Sequence, residues 1–226
     1  MILAIDTSGV VSAAVVAGEE ILASRMDARA RHHDEVLLPM IDQVLTDAGI
    51  TRGDLTGVVV GRGPGPFTGL RVGLVTARSI AAMLRLPLHG LSSLDGLALQ
   101  AHRQHPQARS IGVALDARRS EVYWATYRAG EQLSTVDEPA VSAPGVAAAA
   151  LNGCDVLVGA GAHLWPELTP TGDLQHVDAG HLALAAAVQQ ATGADLSSTE
   201  PMYLRAPDAK KPTGRKSALG AHSARP

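Results

Sequence analysis

The sequence predicts an α/β fold made of two related βββαβα lobes, and three patterns predict it. Short continuous apolar runs bounded by turn residues recur along the chain, as strands covered on both faces require. Longer stretches with helical periodicity lie between them. The opening is then echoed. Ile111-Gly112-Val113-Ala114-Leu115-Asp116 repeats the strand-to-aspartate form of Ile2-Leu3-Ala4-Ile5-Asp6, and each copy runs on to an Ala-Gly-Glu tripeptide, at 17–19 and 129–131.

In chain order, strand 2–5 ends in the turn Asp6-Thr7-Ser8-Gly9, and a second strand follows at 12–17. Gly18-Glu19-Glu20 turns tightly into a third, 21–25. A long helix carries Val36 to Ala48, a buried strand covers 58–60, a second long helix covers about 68–85, and another strand covers 88–91. Ser92 and Asp95 stand at capping-box spacing for a third helix. The later copy offers strands at 111–116 and 122–128, an Ala-rich helix at 146–151, a strand at 155–158 and a helix at about 181–191. This divides the chain into a first lobe, 1–105, a reduced second lobe, 106–206, and a basic tail, 207–226, whose charges and turn formers predict disorder.

Composition excludes several classes. The chain has 226 residues, 46% hydrophobic, with 19 Lys+Arg against 22 Asp+Glu; a net charge of -3 argues against a globally basic nucleic-acid binder. Cys154, alone in the sequence, cannot form an internal disulfide or a cysteine-rich zinc site, which favours a reducing compartment. No apolar stretch approaches the roughly 20 residues of a bilayer span, and no basic leader precedes Ile2. The expectation is a cytoplasmic protein without membrane association.

The segment Gly61-Arg62-Gly63-Pro64-Gly65-Pro66-Phe67-Thr68-Gly69-Leu70-Arg71 joins a buried strand to a helix, where backbone amides can cradle phosphate. It is neither a Walker A loop nor the dinucleotide fingerprint, and its prolines remove donors. A rigid connector and an anion cradle both fit; in the second case Asp6, Gly63, Gly65 and Thr68 would face the phosphate. Asp6-Thr7-Ser8 could hold a magnesium–phosphate unit or simply close a hairpin. His32 and His33 diverge by about 100° on a helix and do not share a metal easily. No Gly-x-Ser-x-Gly elbow or zincin pattern occurs, and Cys154 lies beside an apolar strand as an inert thiol. Asp116-Ala117-Arg118-Arg119 is a charged hairpin turn.

The two long helices are too apolar for single-sided burial. Val36, Leu37, Leu38, Met40, Ile41, Val44, Leu45 and Ala48 span roughly 200° of arc, where one sheet needs little more than about 100°. The second helix has a polar stripe of Arg71, Arg78 and Arg85, with Leu70, Val72, Leu74, Val75, Ile80, Met83 and Leu84 around it. Either the lobe itself supplies the second cover, or another protein does.

Residues 61–73, Gly-Arg-Gly-Pro-Gly-Pro-Phe-Thr-Gly-Leu-Arg-Val-Gly, closely resemble the signature of the bacterial TsaB (YeaZ) family. Leu3-Ala-Ile-Asp-Thr-Ser8, Leu37-Leu38-Pro39-Met40-Ile41, Leu91-Ser-Ser-Leu-Asp95, Asp116-Ala-Arg-Arg119, Glu121-Val122-Tyr123 and Pro201-Met-Tyr-Leu-Arg205 match in the family's order. The resemblance implies an actin-like fold of two ribonuclease-H-like lobes. It implies a non-catalytic subunit for making threonylcarbamoyladenosine on the adenosine 3′ of the anticodon, in tRNAs reading A-starting codons. The catalytic paralogue, TsaD, would be its partner, with the ATPase TsaE reached through the complex and tRNA met only indirectly. Alone, it would form a homodimer.

In the catalytic paralogue two metal-binding histidines follow the strand that matches 88–91; Ser93 and Leu97 stand in their places here, so no metal is expected. No cofactor is expected either, a nucleotide finding room only at the heterodimer junction. Family pairing through the first-lobe helices puts Val36, Met40 and Val44, with Arg71, Val75 and Arg78, on the partner seam. The alternative is an ATP-dependent phosphotransferase of the actin-like superfamily, working through Asp6 and the loop 63–68.

Overall fold

The computed structural model describes residues 1–29, 33–130 and 132–205. His32, Glu131 of the second tripeptide and the tail lie outside these residues. The first half contributes β1 (Ile2–Asp6), β2 (Val11–Ala17), β3 (Glu20–Asp27), α1 (His33–Asp47), β4 (Gly57–Gly61), α2 (Phe67–Leu84), β5 (Leu88–Leu91) and α3 (Ser93–Gln104). The second contributes β6 (Ser110–Asp116), β7 (Val122–Arg128), β8 (Ser134–Ser142), α4 (Pro144–Leu151), β9 (Val156–Val158), α5 (Ala160–Leu164) and α6 (Ala179–Ala191).

The strands form two mixed sheets of related order, β3-β2-β1-β4-β5 and β8-β7-β6-β9. In the first, β1 is antiparallel to β2 and parallel to β4, which is parallel to β5. In the second, β6 is antiparallel to β7 and parallel to β9. The internal repeat is therefore real at the level of topology, and among the described residues the second sheet has four strands. The apolar runs of β1 and β4 follow from burial on both faces.

One face of the first sheet, with Leu3, Ile5, Val58 and Val60, is covered by α1 and α2 through Leu37, Ile41, Leu70 and Leu74. Met40 and Val44 belong to this core, 8% and 0% exposed. The placement of both on a partner seam is thus corrected: they face the sheet of their own lobe.

The opposite face, with Ala4, Ala14, Val16 and Val59, is covered by Ala179, Leu182 and Ala183 of α6, from the far end of the chain. Conversely, α3 sends Leu94, Leu97, Ala98 and Ala101 into the core of the second sheet, against Ile111, Val113, Tyr127 and Val158. The two layers exchange helices. The expected cut at 105 separates the sequence repeats but not the packed units, because each core is completed by the other half.

Helix α5 was not anticipated, and two further details differ from expectation. Strand β8 was not anticipated, because its outer residues Ser134 to Glu138 are exposed and it carries Pro139. It is the edge strand, where a missing amide donor is tolerated, and Pro139 falls at an interruption of the β7 pairing. The Ser92/Asp95 capping box does not close: Ser92 Oγ accepts from Leu94 N at 3.3 Å, while Asp95 turns to other partners.

Candidate partner face and the stapled inter-lobe loop

The turn after β1 is tied to the loop before α2. The Asp6 carboxylate, 1% exposed, accepts from Ser8 N (2.9 Å), Ser8 Oγ (2.6 Å) and Ser93 Oγ (2.5 Å). Ser93 Oγ also accepts from Gly63 N at 3.2 Å, and Ser93 N donates to the Gly63 carbonyl at 2.8 Å. Thr7 Oγ1 donates to Gly69 O at 2.8 Å and accepts from Gly73 N at 3.2 Å, fixing the first turns of α2. Burial pushes the Asp6 carboxyl above its ordinary value, against the hydrogen bonds from Ser8 and Ser93.

The glycines answer to close approach. A β-carbon at Gly65 would stand 2.3 Å from the Ser8 carbonyl oxygen, and one at Gly63, whose φ is +95°, would stand 2.9 Å from Leu70 Cδ1. Of the four residues that might cradle an anion, Asp6, Gly63 and Gly65 are buried and turned to protein, and Thr68 alone is exposed. The loop is a packed connector. The cavity where Ser8, Gly9 and Pro66 face Asp116 and Arg118 holds only 120 Å³, too little for a nucleoside triphosphate. Asp116 accepts from Arg118 N at 2.7 Å and pairs with its guanidinium at 3.0 Å, across a turn whose residues 118–120 all have positive φ. Among the described residues no three His, Cys, Asp or Glu side chains gather as a metal site.

The positions matching the paralogue's histidines point inward. Leu97 is 0% exposed in the second core; Ser93, also 0% exposed, is held by Asp6 and Gly63. Cys154 is partly buried, and burial pushes its thiol up, in keeping with an inert group.

On the outside of α2 the arginine stripe has an internal partner that sequence reading missed. Residues 194–205 run back across the first lobe as an extended strap. Gly90 N donates to Leu196 O at 2.9 Å and Met202 N to Arg62 O at 2.7 Å. Arg62 Nη1 donates to Ser198 Oγ at 2.8 Å. Arg78 binds Thr199 and pairs with Glu200 at 2.9 Å. Arg71 lies 3.8 Å over the Phe67 ring and donates to Tyr203 Oη at 3.2 Å, and Tyr203 stacks on Phe67 at 5.2 Å. Arg205, pairing with Glu121 and donating to Ala117 O, ends the strap on the second lobe. Arg71 and Arg78, expected on the partner seam, are thus engaged by their own chain. The element 201–205, matched only as a family motif, is what engages Arg71.

Among polar groups such as Asp42, Gln43 and Ser79, α1 and α2 also leave large apolar side chains exposed. Leu38, Val75 and Met83 are 56%, 59% and 76% exposed, while Val36 is half-buried against the first core. Of the expected seam, Val75 alone is an exposed apolar group; Leu38 and Met83 join it. Helix α2 is the one described helix whose 18 residues and apolarity approach a bilayer span. It packs Leu70, Leu74, Ala77 and Ala81 on the sheet and carries the anchored arginines, the arrangement of a core helix with one free face.

Comparison with known proteins agrees with this architecture. The model of the family described as TsaD, tRNA N6-adenosine threonylcarbamoyltransferase, matches residues 20–213. The Escherichia coli tRNA threonylcarbamoyladenosine biosynthesis protein TsaB is 33% identical over 221 residues, covering 90% of this chain and 94% of its own. An uncharacterized protein of Mycobacterium tuberculosis is 40% identical over 216 residues, covering 92% and 93%. The solved structure of YeaZ from Pseudomonas aeruginosa superposes with a TM-score of 0.77 at 29% identity, covering 90% of this chain and 99% of that one. With its duplicated sheets, exchanged helices and stapled glycine–proline loop, the chain has the actin-like fold and belongs to the TsaB (YeaZ) family, within the wider group that the TsaD model describes.

Proposed function

We propose that this chain works in tRNA threonylcarbamoyladenosine biosynthesis as a non-catalytic cytoplasmic subunit that dimerises with the catalytic paralogue TsaD. The exposed apolar side chains of α1 and α2, Leu38, Val75 and Met83, carry the reading. Apolar side chains exposed on adjacent helices of one lobe are a surface that gains from being covered, at roughly 1.5–3 kcal/mol per fully buried side chain. The same face serves a homodimer when the paralogue is absent, so homodimer and heterodimer compete for it.

The inward placement of Ser93 and Leu97, and the engagement of Asp6 by Ser8 and Ser93, support a subunit that leaves chemistry to its partner. In this reading the partner transfers the threonylcarbamoyl group to the adenosine 3′ of the anticodon, TsaE acts through the complex, and tRNA touches this chain only indirectly.

The deciding experiment mixes purified chain with TsaD, TsaE, ATP, threonylcarbamoyl-adenylate and unmodified tRNA, and measures modified adenosine with and without the chain. Modification that depends on the chain, together with a heterodimer on a sizing column, is the expected result. Full modification in its absence, or modification by the chain alone, would overturn the proposal.

A further inference from the structure

A second cavity lies far from the partner face in its residues. It holds 270 Å³ and is enclosed by α3, α6, β7 and the start of β8. Its apolar wall includes Leu99, Leu133 and Val188; its polar groups include Asp95, His102 and Gln189.

The hydrogen-bond inventory of this chamber is one-sided. Asp95 Oδ1 accepts from Tyr127 Oη and Oδ2 from Gln189 Nε2, both at 2.8 Å. A carboxylate has about four acceptor sites, so capacity for further donors remains, while the tyrosine hydrogen and one amide hydrogen are consumed. His102 Nδ1 is buried in the same wall without a partner. No Lys or Arg lines the chamber. The adjoining 380 Å³ cavity shares Asp95, Leu133, Thr135 and Gln189, and adds Glu138 and Asp195 against a single guanidinium, Arg62, which is turned to Ser198. The 270 Å³ chamber itself offers no positively charged donor, and Arg62, whose Nε is buried without a partner, lies in the adjoining cavity. An anion would meet the carboxylates; a purely apolar guest would leave His102 Nδ1 unanswered.

We infer that this chamber binds a small apolar amine, its ammonium on the Asp95 carboxylate and its hydrocarbon body against Leu99, Leu133 and Val188. Burial holds the Asp95 carboxyl above its ordinary range, with Glu138 adding to the rise and Tyr127, Gln189 and Arg62 opposing it. An ammonium seated there offsets that desolvation. The site shares no residue with Leu38, Val75 or Met83, so its failure leaves the subunit reading standing, and the reverse.

The test is isothermal titration calorimetry of the full chain with phenylethylammonium chloride, against 2-phenylethanol and 3-phenylpropionate as neutral and anionic controls. The expected result is saturable 1:1 binding by the amine, at least about tenfold tighter than either control, a gap of about 1.4 kcal/mol. Asp95→Asn should weaken it at least about tenfold. Val188→Trp, at a position 37% exposed, should block the chamber while keeping the thermal midpoint. Equal affinity for amine and alcohol, no saturable heat, or binding indifferent to Val188→Trp would overturn the inference. The tryptophan variant decides the matter even where Asp95→Asn fails to fold.

Discussion

Arg78 on α2 holds Thr199 of the C-terminal strap by two donors, Nε to Thr199 Oγ1 at 3.0 Å and Nη2 to the Thr199 carbonyl oxygen at 2.8 Å. The strap has few buried apolar groups of its own, so its docking rests on such bonds. Arg78→Ala should cost only about 1 kcal/mol of global stability, because the guanidinium is half-exposed and solvent screens its pair with Glu200. The local effect should be larger: amide hydrogen exchange of residues 196–204 should rise several-fold while the sheet strands keep their protection. Unchanged exchange there would show that the strap is held by something other than the arginine stripe.

Met40 and Val75 separate folding from association. Met40→Asp places a carboxylate in the first core without a partner, and a loss of about 3–5 kcal/mol is expected, read as a collapse of the denaturation midpoint. Val75→Asp puts the same charge on a side chain that is 59% exposed, so the free protein should keep its midpoint. In the presence of TsaD its heterodimer should weaken by at least about tenfold, from a charge buried in an apolar contact. Val75→Asp and wild type eluting alike with the paralogue would remove α2 from the interface.

Much of this architecture was legible because burial on two faces writes continuous apolar runs such as Val58-Val59-Val60, and duplication writes the second copy of Ile2 to Asp6. The excess apolar arc of α1 and α2 was legible too, but not its division. A helical wheel says that Met40 and Leu38 are both apolar; only packing says that Met40 meets the sheet and Leu38 meets solvent. The exchange of α3 and α6 left no trace in the sequence, since an apolar face does not name the sheet it will cover. The internal partners of Arg71 and Arg78 were not legible for a similar reason. Their partners Tyr203 and Thr199 lie more than 120 residues away in the chain.

The buried Asp6 should leave a mark on the pH dependence of stability. Its folded-state pKa lies above the ordinary 3.8, chiefly through desolvation. Between the unfolded and folded values the native protein binds more protons than the unfolded chain, so this residue's contribution falls as pH rises through that window. Asp6→Asn keeps an acceptor for Ser8 and removes the titration. Urea denaturation from about pH 4 upward should therefore show a more negative slope of stability against pH for wild type than for the variant. Parallel curves would mean that Ser8 and Ser93 fully compensate the burial of the charge.

Leu97 provides the last test, of whether the metal-binding histidine pair that the family resemblance implies at 93 and 97 could be restored by side chains alone. Ser93→His with Leu97→His recreates the ligand pair in sequence, yet both positions are 0% exposed and Leu97 fills the second core. A histidine at 97 gives up the packing of a fully buried leucine, a loss of about 2–5 kcal/mol for such sites, and at 93 it removes the hydroxyl that joins Asp6 to Gly63. The double variant should thus melt well below wild type and show no stoichiometric cobalt or zinc uptake by spectroscopy. A stable variant that binds one metal ion per chain would mean that the helix start at Ser93 can rotate outward. The inward packing of α3 would then no longer support a subunit without chemistry of its own.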